Sequence, residues 1–217
     1  MRKKQEQKAR IVQLARELFT QYGYQETTMR QISKTAHMAE GLIYYYFPHG
    51  KQEILNDVIV TGINNRIQLV NTNKSTPLNL KETYRDIENI FTTLWDAFQD
   101  RDNYQSFLIT VHERVLLTDA QSKWLEQMTC SVEKQIAVIL RSSTDFLESN
   151  TDVDLLADII VSIFQKSIFN NILLKGQREV SNQGKRKVLI ELHVVLNSFR
   201  KMKPSYNLNG ETINEEI

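Results

Sequence analysis

Thr28 and Gln31 stand three residues apart, the spacing of a capping box in which a Thr hydroxyl caps a helix and a Gln side chain caps back. Met29, Ile32 and Ala36 fall on one face of the short helix this predicts over residues 28–35. His37 and Met38 form a turn, and a second short helix runs from Ala39 to Tyr46. Pro48 ends it, because the residue before a proline avoids helical geometry. Two short helices across a tight turn, behind a longer supporting helix, make a helix-turn-helix pattern. The chemistry open to such a unit is docking on a duplex. The second helix fits the major groove, and the N-terminus of the first offers unpaired N–H groups to a phosphate. Other chemistries find little material. Cys130 is the single cysteine, so neither an intrachain disulfide nor a Cys/His zinc set can form. The sequence has no His-Glu-x-x-His motif, no Gly-rich phosphate loop and no nucleophile–base pair. It reads as a non-enzyme with no metal and no cofactor.

The elements that must hold this unit are helices as well. Ile11, Val12, Ala15, Leu18, Phe19 and Tyr22 recur at helical spacing over residues 8–22, and Gly23 closes the run. Gly50-Lys51 opens a long helix to about Val70, followed by a polar break from Asn71 to Pro77. Further helical stretches lie at about 79–100, 104–117, 119–142, 153–175 and 184–202. Seven Gly and three Pro in 217 residues are few for a sheet protein with many tight turns, so the expected fold class is all-α. Residues 1–50 form the helix-turn-helix unit, 51–203 a helical bundle and 204–217 a polar acidic tail.

The net charge of +1 hides a gradient. Residues 1–55 hold nine basic and five acidic side chains, whereas 204–217 hold three acidic and no basic ones. The basic excess lies on the helix-turn-helix unit, although a solvated face would account for an excess this small. No apolar run of signal-peptide length follows Met1-Arg2-Lys3-Lys4. Val153–Leu174 is interrupted by Asp154, Asp158 and Lys166, short of the roughly 18 uninterrupted apolar residues of a membrane helix. A cytoplasmic protein with no membrane partner is expected, and Cys130 is expected to be a small buried hydrophobe.

Residues 8–55 closely resemble the DNA-binding domain of the TetR (tetracycline-repressor-like) family of bacterial regulators. The resemblance rests on Ala15-Arg16-Glu17-Leu18-Phe19, Gly23-Tyr24, Thr27 to Ser33, Gly41 to Phe47, and Lys51 with Glu53-Ile54-Leu55. It implies that Thr28 caps the first short helix and hydrogen-bonds a phosphate. Arg30 would reach a phosphate or a guanine edge. Tyr44 would donate its hydroxyl to a phosphate, and Lys51 would neutralise one; such contacts position without reading sequence. Base readout falls to Ala39, Glu40, Gly41, Leu42 and Tyr45, and here the chain departs from the family pattern. Members often carry Ser or Thr, then Lys or Arg, and a polar residue near position 42. Glu40 can accept from cytosine N4, and Ala39 or Leu42 can touch a thymine methyl, but Glu40 also repels phosphates. His37 stands where Gly is usual, and His tolerates left-handed geometry better than most residues.

A single unit of this kind meets one half-site, so a homodimer on a near-palindromic site is expected, with recognition helices about 34 Å apart or a multiple of it. In Val153–Leu174, 14 of 22 residues are apolar, too many for one stripe, so the helix must be buried on two sides. The expected dimer surface takes Leu156, Ile160 and Ile163 with Val188, Leu192, Val195 and Phe199. The resemblance further implies a cavity for a small-molecule effector, expected to be largely apolar. Phe91, Trp95, Phe98, Tyr104, Phe107, Trp124 and Phe164 are its candidate lining, with His112 as a polar anchor, although aromatics at helical spacing more often form core. The function expected is a DNA-binding transcriptional regulator, a repressor released by its effector. The alternative is an interaction protein on the same scaffold that has lost operator reading and binds another regulator.

Overall fold

The computed structural model describes residues 2–71, 77–114, 117, 119–143, 146–179, 181–201, 205–206 and 212–213. The side chains of 70–71, 119–122, 124–125, 128 and the last four of these residues are outside that description. The helices are α1 (Arg2–Tyr22), α2 (Met29–Ala36), α3 (Glu40–Tyr46), α4 (Lys51–Asn71), α5 (Leu80–Asp96), α6 (Arg101–His112), α7 (Asp119–Arg141), α8 (Val153–Ile168) and α9 (Asn182–Ser198). A π-helical turn, Phe169–Leu174, extends α8. In the tail, β1 (Ser205–Tyr206) pairs antiparallel with β2 (Thr212–Ile213).

Capping sets most boundaries. Asn79, Asp100, Asp152 and Ser181 each accept a backbone N–H at the start of α5, α6, α8 and α9. The helix expected at 104–117 therefore begins three residues earlier and stops at His112. Helix α1 starts at Arg2, well before the expected residue 8. Its first two turns are polar, carry no apolar stripe, and are supported by an i,i+4 ion pair from Arg2 to Glu6 (3.2 Å). The single helix expected over 153–175 changes register at Phe169. Where the ladder widens to i→i+5, Asn171 Nδ2 donates to the Ser167 carbonyl (2.8 Å).

Two hydrophobic cores result. The head core joins Ile11, Ala15 and Phe19 of α1 with Ile32, Ile43 and Phe47, and continues onto Ile54, Leu55, Val58, Ile59 and Ile63 of α4. Each fully buried aliphatic side chain contributes about 1.5–3 kcal/mol relative to exposure. Helix α4 is thus shared by head and body. It crosses α6 so closely that a Cβ on Gly62 would lie 2.6 Å from Ser106 Cβ.

The body core runs through α5, α7, α8 and α9, and it corrects two sets of expectations. Leu156, Ile160, Val188 and Leu192 are buried within it, not on a free face. The outward stripe of α8 and α9 carries Leu155, Ile190 and Val194, each more than half exposed, with Ile159 and Ile163 half-buried beside them. Both stripes of α8 are apolar, so composition could not tell inside from outside. Phe91, Trp95, Phe98 and Phe164 are also packed as core, with Phe91 4.8 Å from Phe164 and Phe98 5.0 Å from Phe107 between ring centroids. Tyr104 and Phe107 pack against that core from its edge. Val195 and Phe199 do the same. The Trp124 side chain lies outside the described residues. Cys130 is half-buried, more exposed than expected. Val153–Leu174 does reach the length and mean hydropathy (1.2) of a membrane span by composition, with 44% of its most apolar window inside the bundle.

Candidate nucleic-acid interface

The short helices are held by local chemistry. Gln31 N–H donates to Thr28 Oγ1 (3.1 Å) and Thr28 N–H donates to Gln31 Oε1 (2.7 Å), completing the capping box. At the other end of α2, His37 adopts left-handed geometry (φ 53°), and Met38 N–H donates to the Ser33 carbonyl (3.0 Å). Ile32, Ala36, Ile43 and Phe47 turn inward. The same geometry turns Arg30, Ala39, Glu40, Gly41, Leu42, Tyr44 and Tyr45 outward. Leu42, Tyr44 and Tyr45 are 43%, 43% and 61% exposed. So large an apolar and aromatic exposure on one short helix marks a surface that meets something.

Lys51 is engaged differently from the expectation. Its Nζ donates to the carbonyls of Tyr24 (2.7 Å) and Gln25 (3.1 Å) and lies 4.4 Å from the Tyr24 ring centroid. Burial lowers its pKa. An ammonium has three donors, so Lys51 ties the turn after α1 to the start of α4 and keeps one proton for another partner. Tyr24 Oη strengthens the tie by donating to Gln52 Oε1 (2.9 Å). Between α3 and α4, Gly50 (φ 67°) brings the backbone against Tyr44, and a Cβ there would meet Cε1 at 3.4 Å.

The structure adds basic residues that periodicity left out. Lys4 lies 4.7 Å from the Tyr45 ring centroid, so the first turn of α1 brings positive charge beside α3. Lys8 sits over Phe47 (4.7 Å) and pairs with Glu53 (3.4 Å).

Head and body meet where α1 crosses α6. Arg16 Nη2 lies 2.5 Å from Asp102 Oδ1. Beyond it opens a cleft of about 400 Å³ lined by residues of α1, α6 and the π turn. Of the expected effector residues, His112 lines this cleft, whereas Phe91, Trp95, Phe98, Tyr104, Phe107 and Phe164 do not. Inside the body, Arg66 is buried beside the edge-packed rings of Phe98 and Phe107, 5.9 Å from each, and donates to the Asn103 carbonyl (3.2 Å). Burial lowers its pKa to about 10. An isolated Arg in an otherwise amphipathic run gave no sequence signal of this.

Comparison with known proteins matches the geometry. Residues 11–58 fit the sequence model of the bacterial regulatory proteins of the tetR family. Over 56 residues the chain is 36% identical to the uncharacterized HTH-type transcriptional regulator YhgD of Bacillus subtilis (strain 168), a stretch covering 26% of this chain and 29% of that protein. In three dimensions it resembles the TetR-family regulator PfmR from Thermus thermophilus (TM-score 0.62, 17% identity, 87% of this chain and 97% of that one). It also resembles a putative TetR-family regulator from Mesorhizobium loti (TM-score 0.71, 13% identity, 91% and 98%). SmeT in its triclosan complex aligns with a TM-score of 0.63 at 16% identity, over 90% of this chain and 92% of that one. The head, residues 11–58, matches the tetR-family model in sequence, and about nine-tenths of the chain shares the all-helical fold of TetR-family regulators.

Proposed function

We propose that this regulator is a repressor that binds a near-palindromic operator as a homodimer and is released by a small-molecule effector. The observation that carries it is the outward face of the head. Arg30, Tyr44 and Tyr45 project from two helices whose relative pose is fixed by a capping box and a left-handed turn. In this proposal Arg30, the Thr28 hydroxyl, Tyr44 and the remaining Lys51 proton hold phosphates. Ala39, Glu40, Gly41, Leu42 and Tyr45 meet base edges. The outward stripe of Leu155, Ile159, Ile163, Ile190 and Val194 closes the dimer, crossed by an ion pair from Lys166 to Glu191 (2.8 Å). SmeT shares this fold and is seen with triclosan, which supports an effector-binding body. A cytoplasmic location follows from DNA as partner.

The test is DNA selection from a random-sequence pool by the full chain, with the affinity of any enriched site measured against salt. A log–log slope of about −0.9 per neutralised phosphate is expected. Glu40 and the exposed Leu42 favour the alternative, an interaction protein on the same scaffold. Absence of enrichment, with a regulator captured in its place, would select it.

A further inference from the structure

The cleft at the junction of head and body sets Phe19 and Tyr24 on one wall against Leu108 and Ile109 of α6 on the other, with Leu173 of the π turn beside them. Set into this apolar lining is a carboxylate. Glu113 caps the end of α6, its side chain is 7% exposed, and Oε1 lies 2.8 Å from Nδ1 of His112, a residue 82% exposed. Lys51, nearby on the head, is turned toward the carbonyls of Tyr24 and Gln25. The negative charge of Glu113 reaches both sides of the junction: after burial, it is what pushes the Tyr24 phenol up, and it works against the lowering of Lys51.

We propose that this cleft binds a lipophilic organic cation, its charge beside Glu113 and its apolar body between α1 and α6. A buried carboxylate favours a positive partner. A compact ammonium would give up a strong hydration shell to enter, whereas an alkylated or arylated cation loses little. The rings of Phe19 and Tyr24 add attraction for such a charge. The volume falls in the range of about 300–1,000 Å³ typical of small-molecule sites. An occupant touches both sides of the junction at once, one turn of α1 from the Arg16–Asp102 pair. It also lies against Tyr24, whose carbonyl holds Lys51. Any effect on DNA rests on the proposed regulatory role; occupancy of the cleft does not.

Isothermal titration calorimetry on the full chain tests the site with tetraphenylphosphonium and tetraphenylborate, ions of one shape and opposite charge. The phosphonium should bind saturably at one site per chain, at least tenfold more weakly to Glu113→Gln and not at all to Leu173→Trp, which fills the cleft from its half-exposed side. The borate should show no comparable binding. Equal binding of the two ions, no binding of the phosphonium, or undiminished binding by Leu173→Trp or by a folded Glu113→Gln overturns the proposal. If thermal melting shows Glu113→Gln unfolded, the pair of ions on the parent chain and Leu173→Trp decide the question. DNA selection that fails while the phosphonium pattern holds would remove the regulatory role and leave the site standing.

Discussion

Arg16 of α1 and Asp102 of α6 face each other at 2.5 Å, the guanidinium side chain 7% exposed and the carboxylate side chain 46%. This pair binds the helix-turn-helix head directly to the body, alongside the shared helix α4. Removing the acid strands a buried positive charge, so Asp102→Ala should lower stability by about 1–3 kcal/mol. Chemical denaturation measures the loss. Hydrogen exchange should rise in α1 before it rises in α8, and unchanged exchange in α1 would show that the pair holds nothing together.

Thr28 is predicted to matter for folding before it matters for binding. Its hydroxyl accepts from Gln31 N–H, so Thr28→Ala should cost about 1 kcal/mol. Thr28→Ser, which keeps the oxygen, should restore most of it. Denaturation of the two variants separates capping from any phosphate contact, which only DNA affinity reports.

Acid should loosen the start of α5. Glu82 accepts from Leu78 N–H (2.8 Å) and from Asn79 Nδ2 (3.0 Å), and the backbone bond is the first cause of its lowered pKa. A carboxylate with a depressed folded pKa contributes stability present above its unfolded value, which is lost as pH falls through the folded one. The contribution should therefore fade below about pH 4.5. Titration of the Glu82 carboxyl by NMR, with amide protection of Thr83 followed in parallel, checks this. Glu82→Gln should abolish the pH dependence at that amide.

The two stripes of α8 should respond in opposite ways. Leu155 and Val194 are 54% and 65% exposed, so Leu155→Asp with Val194→Glu should leave stability of the single chain within about 0.5 kcal/mol per site. The same variant should convert a dimer to a monomer in sedimentation. Leu156→Asp, at a fully buried position, should unfold the body. A parent chain that sediments as a monomer would refute the dimer.

What could be read from sequence was local. The capping box over Thr28 and Gln31 depends on two side chains three residues apart, and the left-handed turn at His37 follows from one. The tie from Lys51 to the turn after α1 is not legible in sequence, because its acceptors, Tyr24 and Gln25, lie 27 and 26 residues away. Leu155 and Leu156 look alike in sequence until the fold chooses which faces inward, so the outward apolar stripe of α8 keeps Ile163 of the expected residues but not Leu156 and Ile160. The aromatics of α5 became core because α7 and α8 close over them, a fact of packing that no helical period encodes. The cleft under Tyr24 joins segments distant in sequence, and of its lining only His112 stands among the residues expected at an effector site.

DNA selection with the full chain tests the central claim most directly. The regulator should enrich a near-palindromic site whose affinity falls linearly with salt on log–log axes, and Arg30→Ala should flatten that slope by about one unit. Enrichment of no site at low salt, by a chain shown to be folded, would contradict a role in reading DNA.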